Sequence, residues 1–420
     1  MQIQRRCRIF FVQFLTIMFL ILFAVITLPK SSAALEFNHG ANVRQNALLM
    51  KWPSRVDKQF FPSGSFGISE TRMRIRASVY SGDMVINGAL ESRAGFTSSN
   101  SGPLTEGSLF GKSKPLEHWD LTKYHVDEPL TSLSTRMERL DIRWSPGSYD
   151  IDVGRQPVSL GTSHFVGILD VLAPFAPGDL DATYKPGIDA VRIRRGLGST
   201  GEAEIIAVAA KEWSDGAILG RYRSSLKSID LEFVGGRFRR RGFGGVGWEG
   251  EVKSMGIWGE LALFERRKNV EKIRGGWSEA AFSGVAGIDV NLPDDFKLGG
   301  SFMFQDFGVR DPEELIDIYE DAPFREGWVF LGSAAYGVLT LHRELHPLVQ
   351  SDLAGIINLI DNSTLWQPKI TVNTGNNTDL AFYGWVGTGK KSRHHDNITS
   401  VRSEFGGMPA GGGFYARWFF

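Results

Sequence analysis

The chain has 420 residues with 47 basic and 47 acidic side chains, so its formal charge is zero and no global field draws it to nucleic acid. Its single cysteine, Cys7, excludes a disulfide framework and a thiolate metal centre. Forty-nine glycines and a 12% share of aromatics, spread along the whole length, suit many short strands better than helices.

Residues 1–33 read as a secretory signal peptide. Arg5, Arg6 and Arg8 precede a nearly all-apolar run over 9–28, and Ser31, Ser32 and Ala33 offer a small-residue cleavage site. The rival is an uncleaved membrane helix, since the run approaches the ~20 residues that span a bilayer. The basic start and the small-residue exit favour cleavage, leaving 34–420 as one domain. Cys7 lies before the apolar run and is no lipid anchor. No second apolar run of spanning length follows. A membrane-embedded mature chain must therefore be a closed barrel, because only helices and closed barrels satisfy every backbone group in lipid.

From residue 69 onward the dominant pattern is alternation. Met73, Ile75, Ala77 and Val79 share one face of a strand, and Arg72, Arg74 and Arg76 share the other. Three arginines on one strand face do not fit a soluble core. They fit a watery lumen, with the apolar face in lipid. The pattern recurs: Met84, Ile86 and Leu90 against Asn87, Glu91 and Arg93; Leu140, Ile142 and Trp144 against Arg139, Asp141 and Arg143; Val191 and Ile193 against Arg192 and Arg194; Ile229, Leu231 and Phe233 against Asp230 and Glu232. A sandwich also alternates, but its outer face is rarely so charged while the other carries so many interfacial aromatics.

The prediction is an all-β, transmembrane, antiparallel up-and-down β-barrel of 16–18 strands. The strands fall near 36–46, 69–80, 83–95, 134–144, 148–156, 188–195, 202–211, 218–226, 228–238, 243–252, 255–266, 277–290, 296–307, 328–341, 349–360, 365–373, 378–387 and 411–420. Sixteen strands fit nearly as well as eighteen, and 349–360, apolar on both faces, also suits a helix. Short links such as 81–82, 145–147, 253–254 and 375–377 alternate with long ones at 96–133, 157–187, 308–327 and 388–410. That is the rhythm of periplasmic turns and extracellular loops, with both termini periplasmic.

At the end of the chain, Phe414, Ala416, Trp418 and Phe420 share one strand face and Tyr415, Arg417 and Phe419 the other. This resembles the terminal strand of Gram-negative outer-membrane β-barrels, whose last aromatic is read by the barrel-insertion machinery. The resemblance implies that Trp418 and Phe420 form the assembly signal.

The stretch 154–195 carries a second resemblance. Pro157, Pro174, Pro177 and Pro186 keep 157–187 from being a strand, and its middle, 165–175, is too apolar for a freely solvated loop. It reads as a loop folded onto or into the barrel. Gly154, Arg155 and Gln156, then Asp170, Pro174, Phe175 and Pro177, then Asp179, Leu180 and Asp181, then Pro186, Gly187 and Asp189 resemble a group of porin-like outer-membrane barrels over some forty residues. Where that group carries Trp-Gly, this chain has Leu160 and Gly161. The resemblance implies a channel whose inward loop narrows the lumen against a basic wall. Asp170, Asp179 and Asp181 would supply the acidic side, and Arg72, Arg74, Arg76, Arg139, Arg143, Arg192 and Arg194 the basic side. The alternative is that loop acids pair with wall arginines and plug the barrel.

Other motifs have plainer readings. The glycine spacing at 196–201 follows a strand bearing Arg192 and Arg194, which suits a hairpin turn and not a dinucleotide site. Arg237, Arg239, Arg240 and Arg241 suit either a solvated turn or contacts with lipopolysaccharide phosphates. The acids at 311–321 lack the ordered spacing of a calcium loop. His394, His395 and Asp396 do not make a closed metal site. No nucleophile motif accompanies Ser163 and His164.

The expected function is passive diffusion of small polar or charged solutes across the outer membrane, without catalysis, metal or cofactor. A plugged or structural barrel, or a polysaccharide exporter, is the alternative, and an outer-membrane enzyme the third. The expected partners are outer-membrane lipid and lipopolysaccharide, the assembly machinery and small solutes, with a homotrimer as the assembly considered.

Overall fold

The computed structural model describes residues 35–51, 65–98, 113–177, 183–267, 277–391, 393–395 and 398–420. The expected signal peptide, 1–33, lies outside them, as do Asp179, Asp181 and Asp396. In chain order the strands are β1 (Glu36–Lys51), β2 (Ser65–Ser81), β3 (Met84–Thr97), β4 (Thr122–Asp127), β5 (Thr131–Trp144), β6 (Tyr149–Gln156), β7 (Ile188–Leu197), β8 (Gly201–Val208), β9 (Ala217–Leu226), β10 (Ile229–Phe238), β11 (Arg241–Val252), β12 (Met255–Glu265), β13 (Ala280–Leu292), β14 (Phe296–Gln305), β15 (Ala335–His346), β16 (Val349–Asn358), β17 (Thr364–Gly375), β18 (Thr378–Thr388), β19 (Arg393–His395), β20 (Ile398–Ser400) and β21 (Ala410–Phe419).

All but β4, β19 and β20 form one antiparallel cylinder, which gives eighteen wall strands among the described residues. Each wall strand pairs with the next in sequence, and β21 closes the ring on β1, with Val43 opposite Trp418. Phe420 extends that closure: its amide donates to the Ala41 carbonyl at 2.8 Å and its carbonyl accepts from the Ala41 amide at 3.0 Å. Closure leaves no edge, which is the condition for a barrel in lipid.

The alternation has the expected phase. Leu140, Ile142, Ile193, Phe233 and Phe302 are exposed on the outer wall, while Arg44, Glu91, Asp141, Asp152 and Glu204 are buried on the inner one. In β5 the register against β3 shifts, with Ala89 opposite Arg139 but Leu90 opposite Met137, so that Glu138 is an added residue. This bulge keeps Arg136, Arg139, Asp141 and Arg143 all on the lumen side.

One rim carries tight turns, as at Lys227 and Lys253, where φ is 56° and 59°. The other rim carries the long connections. Residues 349–358, which the sequence left open between strand and helix, are a strand. Residues 328–334 are not a strand; Trp328, Phe330 and Leu331 are buried against the inward loop instead. The glycine-rich 196–201 stretch is the hairpin between β7 and β8, not a nucleotide loop. Sequence reading missed β4, which pairs with the outer half of β5 where β6 has ended.

Candidate functional site

The loop between β6 and β7 enters the barrel, and its two ends are fastened by the Gly-Arg-Gln and Pro-Gly-x-Asp segments. Arg155 grips Asp189 with Nε at 2.8 Å and Nη2 at 2.9 Å. The same carboxylate accepts from the amides of His118 and Trp119, at 2.8 and 3.1 Å. Gln156 donates to the Ala190 carbonyl at 3.1 Å. Gly154 has φ +123°, and a Cβ there would lie 2.2 Å from the Leu140 carbonyl oxygen. A Cβ on Gly187 would lie 2.3 Å from that of Glu138. These glycines let the loop leave and re-enter a wall packed tightly behind them.

From there the first half of the loop is drawn to the wall of β9 to β13. Glu260, fully buried on β12, accepts four loop amides. Thr162 and Ser163 reach Oε1 at 2.6 and 2.7 Å, and Ile168 and Leu169 reach Oε2 at 2.5 and 2.9 Å. Glu232 takes the Gly161 amide at 2.9 Å, and Arg221 donates to the Ser159 carbonyl at 2.9 Å. His164 sits between Asp289 and Glu249, at 2.8 and 2.9 Å. Buried backbone donors must find acceptors, and here one inward carboxylate supplies four. Leu169, Val171 and Leu172 join the inner faces of Leu219, Phe238 and Phe264 in a single apolar cluster.

The second half of the loop reaches the opposite wall. Tyr184 lies under Arg74, with the guanidinium 4.1 Å from the ring centre, and its hydroxyl accepts from Asn42 at 3.3 Å. Thr183 accepts from Arg417 at 3.0 Å. Arg139 contacts the loop through the Lys185 carbonyl at 3.5 Å. The loop thus makes contacts on β9–β13 and again on β1, β2 and β21, spanning the lumen like a chord.

Of the acidic half of the sequence-based site, only Asp170 falls on described residues. Asp170 is paired with Lys185 of its own loop, not with a wall arginine. Asp179 and Asp181 lie outside the described residues. The arginines find their counter-charges on the wall: Arg72 on Glu70, Arg74 on Glu91 at 2.5 Å, Arg143 and Arg194 both on Asp152 at 2.6 Å, and Arg192 on Glu204 at 2.6 Å. Arg76 lies across Gly40. The physical reason is register. Antiparallel pairing sets Asp152 directly opposite Arg143 and diagonal to Arg194, and sets Glu204 diagonal to Arg192. Sequence reading set Glu232 on the lumen face without its loop contact and missed Glu260 and Tyr184; an acid at an inward position between the buried Trp258 and Ala262 was the available signal for Glu260.

The remaining motifs resolve locally. Ser163 donates to the Val166 carbonyl at 2.7 Å and is not bonded to His164, so the two do not form a nucleophile–base pair. Arg239 donates to the Lys114 carbonyl, Arg240 pairs with Asp215, and Arg241 is buried against Glu326 and the Trp328 ring. Asp311 caps the turn at Pro312–Glu314 by accepting from the Glu313 amide.

No family model matches the chain, and no curated protein matches it by sequence. The fold is shared with solved structures. OccAB4 of Acinetobacter baumannii is 9% identical with a TM-score of 0.56, covering 92% of this chain and 98% of that one. OccD3 (OpdP) of Pseudomonas aeruginosa is 6% identical with a TM-score of 0.54, covering 93% and 94%. OccK11 (OpdR) of the same organism is 9% identical with a TM-score of 0.53, covering 91% and 96%.

Proposed function

We propose that the chain is an outer-membrane channel for diffusion of small polar and charged solutes, narrowest between the 157–187 loop and the arginine-bearing wall. The observation that supports it most is the chord: a loop held by Glu260 on one side and resting on Arg74 and Arg417 on the other. Barrels of 16–18 strands enclose an aqueous lumen, so one such loop narrows the passage without filling it. The lumen wall is also uneven in charge. Arg417, Arg44 and Arg72 are direct cross-strand neighbours on β21, β1 and β2. Glu249, Glu260 and Asp289 stand on β11 to β13. Opposed charges across a narrow section orient dipolar solutes and favour ions of one sign. On this reading, residues 1–33 direct export, Trp418 and Phe420 signal to the assembly machinery, and the outer wall meets outer-membrane lipid and lipopolysaccharide.

A plugged barrel is favoured by one observation, the apolar cluster of Leu169, Leu172, Phe264, Trp328 and Phe330 inside the wall. Ion selectivity tests the channel reading. Asp152→Asn removes the negative charge shared by Arg143 and Arg194 and leaves both guanidiniums on the lumen wall without it. In planar bilayers under a salt gradient the reversal potential is expected to move toward anions. An unchanged potential would remove these arginines from the conduction path.

A further inference from the structure

At the outer end of the lumen a cavity of about 300 Å3 lies between the inner faces of β2, β3 and β5 and the short strand β4. That is the lower end of the ~300–1,000 Å3 range of small-molecule sites. Strand β4 creates it: Thr122 pairs opposite Arg136, Tyr124 opposite Ser134 and Asp127 opposite Ser132. Tyr124, Ser132 and Ser134 therefore stand on one inward face. Tyr124 is 62% exposed.

The floor of the cavity is ionic but compensated. Glu91 accepts from both Arg74 and Arg93, Glu70 from Arg72, and Arg136 is matched by Glu117 and by Glu138 at 3.4 Å. Such pairs still present unshared carboxylate lone pairs and guanidinium N–H edges, and hydrogen bonds to charged groups are the stronger kind. The exposed Asp127 and Glu128 stand at the mouth.

This chemistry discriminates. An anion meets Asp127 and Glu128 first and then guanidiniums already engaged. A cation finds the floor carboxylates already matched. A neutral ring bearing adjacent hydroxyls fits: each hydroxyl can donate to a carboxylate and accept from a guanidinium or from Ser132 or Ser134, while its C–H face rests on the Tyr124 ring. We propose that this cavity is a recruiting subsite for a neutral, hydroxyl-rich solute of one sugar ring, taken up ahead of the inward loop. The inference rests on the channel reading.

The test uses one ring in three charge states. The full-length barrel is placed in planar bilayers, and its ion current is titrated with glucose, glucuronate and glucosamine. Glucose is expected to perturb the current at the lowest concentration. Tyr124→Ala is expected to raise the half-effect concentration about tenfold, the order of one lost ring contact, with ion conductance unchanged. Ser132→Ala with Ser134→Ala, which leaves the ring in place, is expected to weaken glucose several-fold. Equal or stronger action by glucuronate or glucosamine, or no effect of Tyr124→Ala on glucose, would overturn the proposal. A wild-type barrel with no ion current would instead remove the channel reading. Calorimetry of the same three sugars with the barrel in detergent micelles then decides the subsite by itself.

Discussion

Arg155 and Asp189 tie the two ends of the inward loop together through one two-pronged pair, and both side chains are almost wholly buried. Removing one partner leaves the other as an uncompensated buried charge. Arg155→Ala is therefore expected to cost about 3–5 kcal/mol of stability, read as a lower urea midpoint for unfolding from lipid vesicles. Arg155→Lys is expected to recover little, because a point charge cannot reproduce the planar fork. A midpoint unchanged in Arg155→Ala would show that the loop ends are held by packing alone.

Glu404, in the connection that precedes β21, is a titratable anchor of a different kind. Burial pushes its carboxyl up to about 7, although Tyr336, Gly332 and the Ser333 hydroxyl favour its charged form and the nearby Asp361 raises it further. Tyr336 donates at 2.5 Å, the Gly332 amide at 2.7 Å and Asn358 at 2.8 Å. A carboxyl whose folded value lies above its unfolded one contributes stability fully present below the unfolded value of 4.5. That contribution is lost as pH rises through about 7. Hydrogen exchange of the amides of Phe405 and Met408 is expected to accelerate beyond the intrinsic rate between about pH 4.5 and 7, and to follow the intrinsic rate above that. Glu404→Gln is expected to remove that excess, and an excess retained in the variant would assign it to another group.

At the scale of elements, the outer and inner faces of a wall strand make opposite predictions one residue apart. Ile142 is exposed on the outer wall, and Ile142→Arg near mid-membrane is expected to cost about 2–4 kcal/mol. Asp141 faces the lumen and accepts from Asn87 at 2.9 Å. Asp141→Asn is expected to be tolerated, because an amide oxygen still receives that bond. Equal folding yields into vesicles for the two variants would contradict the assigned phase.

The wall strands were legible because alternation is a local signal, carried within each strand by pairs such as Asp141 and Ile142. The short β4 offers only Tyr124 and Val126 against Lys123, His125 and Asp127, too brief an alternation to announce it, and exists by pairing with β5. Residues 328–334 look strand-like because Trp328, Phe330 and Leu331 are apolar, but their partners are loop residues such as Ile168 and not a lipid face. The contacts of the site were the least legible. Glu260 meets Ile168 across 92 residues, and Arg417 meets Thr183 across 234. Local charge patterns locate the arginines, but the register of β5, β6 and β7 decides that Asp152 receives Arg143 and Arg194.

At the scale of the whole molecule, eighteen wall strands enclose a lumen that one loop crosses, and the central claim is that this loop narrows an open passage. Its grip on the wall depends on Glu260. In Glu260→Gln an amide NH2 replaces one oxygen and confronts two loop N–H groups. Looser loop packing is expected to appear as larger current fluctuations at similar mean conductance. The most direct measurement compares single-channel conductance in planar bilayers of the wild-type barrel and of a variant lacking residues 161–181. A conducting wild type and a severalfold larger conductance in the deletion are expected. A silent wild type with a large conductance in the deletion would make the loop a plug, and equal conductance in both would place it outside the passage.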